Sequence, residues 1–320
     1  MNKIIALIFS SIILFEFGYS QKVKSFETFN TESKSIFDFC FTKKGGAIVI
    51  ADNQSVKLFS VKNKSLLRAY NNGHKDRILA IDISKDSSLI VSGGRDSTIV
   101  LWDLISGKVL KTLRYQKGII SSLKISADCK YLVSGGSDKN VFLYDLKNNK
   151  ILYELGKHSD DITSVAFSPD CKTIAATCAD HFIYLYAVES GKLISKLEGH
   201  TNCVREAIFS ADSSKLISCG DDSKVIFWNI TDLHSPMIAI DFRIGKNWIL
   251  SVDLNQDNKT YVTGNINGKA LIFSQFKTYK LKLGIPINKI LFIPNKGPFL
   301  KVVAATQGKG VFLVDAINMK

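Results

Sequence analysis

His74, Ser92 and Asp96, with Trp102 close behind, supply the side chains of a charge-relay nucleophile: a hydroxyl, an imidazole to take its proton, and a carboxylate to orient the imidazole. His200, Ser218, Asp222 and Trp228 repeat the set at matching positions. An active site is built once. A set that returns with the period of the chain is what a structural element predicts, because donors and acceptors that satisfy one another avoid the cost of burying each alone. Both sets are therefore assigned to structural hydrogen-bond networks, and no catalytic residue is expected. His181 and His234 fall outside the pattern and have no Cys or His at metal-ligand spacing, so no metal is expected. Gly-rich phosphate loops and nucleophile elbows are absent, and no cofactor is expected. The Gly-Gly pairs beginning at Gly93 and Gly135 read as turn positions needing a free backbone.

These residues must be positioned by a repeat. Leu101-Trp102-Asp103, Leu143-Tyr144-Asp145, Leu185-Tyr186-Ala187 and Phe227-Trp228-Asn229 recur at a spacing of 42. The same slot holds Leu58-Phe59-Ser60 upstream, and Ile272-Phe273-Ser274 and Leu313-Val314-Asp315 downstream, which makes seven copies. Six residues before the aromatic slot stands a turn former: Asn53, Asp96, Asp138, Asp180, Asp222 and Asn267, with Gly308 in the last copy. Asp86, Asp128, Asp170, Asp212 and Asp257 mark a second turn, each after a short apolar run. The segments between, such as 78–83, 89–92 and 99–102, are short and rich in β-branched residues, which predicts strands.

Four short strands in a period of this length resemble the WD40 repeat, in which one period makes one propeller blade. Gly73-His74, Gly199-His200 and Trp102-Asp103 match the signature pairs of that family, while Phe59, Phe273 and Val314 stand where Trp is usual. The resemblance runs from about Val23 to the end of the chain. It implies an all-β, seven-bladed WD40 β-propeller with four-stranded antiparallel blades. The chain ends imply ring closure: the last repeat stops after its third strand, 311–316, and 23–29 is a spare strand to complete it. The resemblance also implies that His, Ser, Asp and Trp form a buried chain. Two blades depart from it, one having Gln116 with Ser134, Asp138 and Tyr144, the next His158 and Asp180 with Ala176 and Tyr186, and their networks should be weaker.

In such a blade the loops leading into the innermost strand share one face with those joining the second and third strands. The corresponding positions hold Phe37, Arg77, Leu79, Arg95, Asp161, Arg205, Asp221 and Trp248. Arg and aromatic residues anchor interfaces and Lys is depleted there, so these are the expected partner-binding residues.

Composition sets the remaining bounds. Lys3, the apolar run 4–15 and the small residues Gly18 and Ser20 have the layout of a secretory signal peptide over 1–20, with a mature propeller domain over 21–320. The apolar run is too short for a stable span, so the mature chain is expected to have none. A used signal places the protein in the secretory pathway or outside the cell; the family tendency gives the cytoplasm as the alternative. The six cysteines fall at neither disulfide-framework nor zinc spacings; Cys129 and Cys171 share one slot in successive repeats. The net charge of +13 favours acidic partners, yet only six of the 42 basic residues are Arg. Nucleic acid is accordingly a less favoured partner than protein. The expected function is a non-enzymatic protein-binding scaffold or adaptor working within a complex. The alternatives are a secretory-pathway propeller that binds a small molecule or acts as an enzyme through its central channel, and a basic adaptor for RNA or acidic partners.

Overall fold

The computed structural model describes residues 26–274, 278–294 and 299–318. They form seven four-stranded antiparallel sheets arranged as the blades of a propeller, with no helix among the described residues. Blade 1 begins with the strand Phe39–Phe41, blade 2 with Ile78–Ile83, blade 3 with Ile120–Ile125, blade 4 with Ile162–Phe167, blade 5 with Val204–Phe209, blade 6 with Ile249–Leu254 and blade 7 with Ile287–Phe292. Blades 1 to 6 each use four consecutive strands. Blade 7 takes its fourth, Phe26–Thr28, from the other end of the chain, which pairs Phe26 with Val314 and Thr28 with Phe312 and closes the ring. The expected signal peptide, and residues 23–25 of the spare strand, lie outside the described residues.

The core is not central but divided among the interfaces between blades. Between blades 1 and 2, for instance, Val49, Tyr70, Ile78, Ile90 and Trp102 pack as one buried cluster. Equivalent clusters fill the other interfaces, and the one between blades 7 and 1 includes Phe29 beside the closing strand. A second strand is thus covered on both faces, which is why Thr173–Cys178 is buried at every position and shows no alternation. The Asp turns explain themselves locally: Ser84, Ser126, Ser168 and Ser210 donate to Asp86, Asp128, Asp170 and Asp212 at 2.5–2.6 Å. Cys129 and Cys171 each follow such an Asp with φ near +60°, in turns of different blades, and all six cysteines are free thiols.

The Gly-Gly pairs depart from the sequence expectation. Gly93 and Gly135 lie inside strands, Leu89–Gly94 and Tyr131–Gly136, rather than in turns. A Cβ on either would come within 2.5 Å of the Ile120 or Ile162 side chain in the next blade, so close approach and not backbone freedom requires glycine there.

Candidate partner-binding face

Two tryptophans organise the blade edges beneath this face. Trp102 Nε1 donates to Ser92 Oγ at 2.8 Å, and Ser92 Oγ lies 2.7 Å from His74 Nε2. Because indole N–H can only donate, the serine oxygen accepts from it and sends its own proton to Nε2, leaving Nδ1–H for Asp96 at 3.1 Å. Burial pushes the His74 pKa down in spite of Asp96, which keeps the ring neutral. Burial opposes ionisation of Asp96, but the Lys75 N–H, His74 and the Thr98 hydroxyl together hold its carboxyl below the usual range. Trp228, Ser218, His200 and Asp222 repeat the geometry at 2.8, 2.7 and 2.9 Å. Ser92 and Ser218 have no solvent exposure. The glycine of each Gly-His pair makes room for the indole: a Cβ on Gly73 would sit 2.2 Å from Trp102, and one on Gly199 2.8 Å from Trp228. Through Lys75 N–H on Asp96 and Thr201 N–H on Asp222, each network pins one loop of the face to its neighbour.

Blades 3 and 4 solve the same problem with other residues. Gln116 reaches Asp138 at 3.3 Å, Tyr115 takes over the contact with Ser134 at 3.1 Å, and the Gln116 and Asn140 side-chain oxygens stay buried without partners. His158 donates Nδ1–H to the Lys139 carbonyl at 3.0 Å and accepts from Tyr186 at 2.8 Å, while Asp180 accepts from Ser159 and Tyr184 instead of His158. Tyr115 carried no sequence signal, since it lies one position before the family slot.

Backbone bonds put the two loop classes on one face. Arg95 N–H donates to the Arg77 carbonyl, Ala179 to Asp161, Asp221 to Cys203 and Ile266 to Trp248, at 2.9–3.1 Å. In blades 2 to 7 the innermost strand carries a bulge at one fixed place, passing over Leu79, Ser121, Thr163, Arg205, Leu250 and Asn288. A bulge re-aims its extra side chain. Here Thr163 reaches the Val204 carbonyl and Asn288 the Ile36 carbonyl, each in the next blade. Arg205 lies over the Trp248 ring at 5.7 Å by the same reach, and Arg77 lies 5.5 Å over Phe37. Arg205 also forms a fork with Asp221 at 2.7 and 2.5 Å, so Asp221, with its side chain only 6% exposed, is spent within the protein. Trp248 is 46% exposed, Arg95 and Asp161 are exposed, and Phe37, Arg77 and Leu79 are half-buried.

The central channel holds a polar cluster that the sequence reading missed. Asp38, Asp82, Glu206, Asp253, Lys124 and Lys289 come from six different blades. Asp38 accepts from Ile81 N–H, Asp82 from Ile125, Glu206 from Val252 and Asp253 from Phe292, so each carboxylate latches the next blade's innermost strand. Glu206 also meets Lys289 and Ser251. Burial raises the Asp38 pKa and pushes Asp253 up to about 7. The available signal was a charged residue at the fifth position of the first strand, shared by Asp82, Lys124 and Asp253. Among the described residues no group of three or more His, Cys, Asp and Glu is arranged to hold a metal ion. At the opposite mouth Phe41, Ile83, Phe167 and Phe209 line a cleft of about 460 Å³ with Lys43, Lys85 and Lys124.

Comparison with known proteins finds the same repeat. The family described as "WD domain, G-beta repeat" matches residues 64–103, 107–145, 149–186 and 191–229. The small ribosomal subunit protein RACK1y of Oryza sativa is 43% identical over 61 residues, 19% of this chain and 18% of that protein. The COMPASS component SWD3 of Saccharomyces cerevisiae is 29% identical over 92 residues, 28% of this chain and 29% of that protein. A U3 small nucleolar RNA-associated protein 15 homolog of Xenopus laevis is 33% identical over 93 residues, 28% of this chain and 17% of that protein. The matched stretches thus span less than a third of these relatives. A solved structure, that of U3-55K, superposes with a TM-score of 0.80 at 19% identity, covering 91% of this chain and 98% of that one.

Proposed function

We propose that this chain, which belongs to the WD40-repeat β-propeller family, is a non-enzymatic scaffold or adaptor that holds a partner protein on the face carrying Phe37, Arg77, Leu79, Arg95, Asp161, Arg205, Asp221 and Trp248. One observation carries the reading: two guanidinium–aromatic pairs, one with a half-exposed Trp248, stand on loops cross-bonded to one another over a rigid ring. Arg and Trp in such settings dominate interface energies, and a surface already ordered loses little entropy on binding. The named relatives support work within a larger assembly, being a ribosomal subunit protein, a COMPASS component and a U3 RNA-associated protein. The carboxylates of the channel are bonded to backbone of the neighbouring blade, which favours a latching role for them over substrate binding.

Residues 1–20 keep the proposal of a secretory leader, and 21–320 that of one propeller domain; the ribosomal relative favours the cytoplasmic alternative. No helix of the described residues is long and apolar enough to cross a membrane.

Capture of the native partner from the source tissue tests the face. Replacing Arg77, Arg205 and Trp248 together by Ala should abolish capture. Because loss of Arg205 strands the Asp221 carboxylate, the pair Arg77→Ala and Trp248→Ala, which leaves that fork intact, should lower capture without lowering the melting temperature. Full capture by both variants, with loss in Lys85→Gln and Lys130→Gln, would move the site to the opposite turns.

A further inference from the structure

Arginine is distributed over this molecule differently from lysine. Arg77 precedes the first strand of blade 2, Arg95 follows its second strand, and Arg114 follows its fourth; Arg205 opens the first strand of blade 5, and Arg243 ends its fourth. First-strand starts, second-strand ends and fourth-strand ends all lie at the partner-binding face. Five of the six arginines are therefore there, whereas the opposite turns carry lysines such as Lys43, Lys85, Lys130 and Lys172. Solubility would be served by either residue. Only the guanidinium offers a planar fork that matches a carboxylate with two parallel bonds.

Within the face the free cations are gathered over blades 2 and 3. Lys75, Arg95, Arg114 and Lys117 are exposed and Arg77 half-buried. Among the described residues none of the five has a carboxylate at ion-pair distance. Arg77 and Arg95 are joined through their backbones at 2.9 Å, and Lys75 and Lys117 are held alike by Asp96 and Asp138. Asp96 and Asp138 are half-buried, and the exposed acid among them, Asp76, accepts from Arg77 N–H at 2.6 Å. Toward blade 4 the sign reverses, with Asp160 beside Lys139 at 3.7 Å and Asp161 exposed.

Deepening the reading of this face as a partner surface, on which it rests, we propose that the partner docks an acidic peptide segment on blades 2 and 3, its Asp or Glu carboxylates engaging the forks of Arg77, Arg95 and Arg114 with Lys75 and Lys117 alongside. A nucleic acid fits the face less well. Asp76, Asp160 and Asp161 interrupt any phosphate track, and Arg77 and Arg205 already lie over the aromatic rings on which bases would stack.

Fluorescence anisotropy with the full chain tests this, using a short labelled peptide of alternating Glu and Gly, its Gln counterpart, and oligouridylate as competitor. The Glu peptide should bind about tenfold more tightly than the Gln peptide and weaken as salt rises. Arg77→Gln with Arg95→Gln should weaken it about tenfold, Arg77→Lys with Arg95→Lys should recover only part of the loss, and Lys130→Gln with Lys172→Gln should change nothing. Equal binding of the Gln peptide, an equal loss from the opposite-face lysine variant, or full rescue by lysine together with stronger binding of oligouridylate would overturn the proposal. The two readings fail separately. Lost native capture in Arg77→Ala, Trp248→Ala without Glu-peptide binding rejects the acidic partner and keeps the face; arginine-dependent peptide binding with capture retained rejects the face as the native partner site and keeps the acidic site.

Discussion

Removing the imidazole of His200 leaves the buried Ser218 hydroxyl and the buried Asp222 carboxylate with one partner fewer each. An unsatisfied buried group costs about 1–3 kcal/mol. His200→Ala should therefore lower stability to urea by that order while folded molecules capture the partner normally; loss of an enzymatic activity at unchanged stability would overturn the structural assignment. Asp253 gives a second residue-scale prediction, with the opposite dependence on pH from an ordinary paired carboxylate. Its folded pKa, raised to about 7 chiefly by burial, lies above the ordinary 3.8, so the folded state keeps a proton that the unfolded state has lost. The stability tied to that proton is complete below the unfolded pKa and is lost as pH rises through about 7. Asp253→Asn, which can still accept from Phe292 N–H, should gain in melting temperature relative to the native chain between pH 5 and 8. Parallel pH curves for the two proteins would contradict this.

The decisive element is the strand Phe26–Thr28, which supplies the fourth strand of the last blade, while Ile36 N–H on the Thr306 carbonyl and the Gly308 and Gly310 N–H groups on the Lys34 carbonyl add main-chain bonds between blade 7 and the segment leading into blade 1. Its neighbourhood adds a clasp. Asp52 accepts from the Glu32 and Ser33 N–H groups at 2.8 and 2.7 Å, and Lys57, almost wholly buried, pairs with both Asp52 and Glu32. Glu27 reaches Lys64 of blade 1, and Phe29 meets Phe59 edge-on at 5.8 Å. A chain beginning at Glu32 loses the strand and Phe29 but keeps the clasp residues. It should melt well below one beginning at Gln21 and with a broader transition, because blade 7 then presents an open edge. Equal, cooperative melting of the two would show that closure does not depend on the strand.

For the molecule as a whole, charge and compartment remain the properties that reach furthest. A net charge of +13 spread mainly as lysine keeps the ring soluble, and the arginines superimpose a local pattern on that background. The proposal of a secretory leader over residues 1–20 is tested by the mature N-terminus. Intact-mass measurement on protein from its native source should show a chain beginning at Gln21; retention of Met1 to Ser20 on cytosolic protein would overturn the leader and leave the cytoplasmic alternative.

Seven blades, their turns and the closure by the N-terminal segment were legible in the chain because a propeller is a local code repeated: each strand is short, each turn needs Asp, Asn or Gly, and the aromatic slot returns with the blade. The tryptophan networks were legible for the same reason, since all four members belong to one period and its neighbouring loop. The sequence did not carry what arises between blades. Gly93 and Gly135 look like turn residues until the next blade's isoleucines are seen against them. Asp38, Asp82, Glu206 and Asp253 are scattered acids in or beside four first strands until the ring turns them toward one channel. Asp221 reads as a free surface charge until the bulge at Arg205 aims a guanidinium at it. Each of these contacts joins residues far apart in the chain or re-aimed by a bulge, and a repeat pattern specifies the blade while leaving such pairings to the tertiary packing.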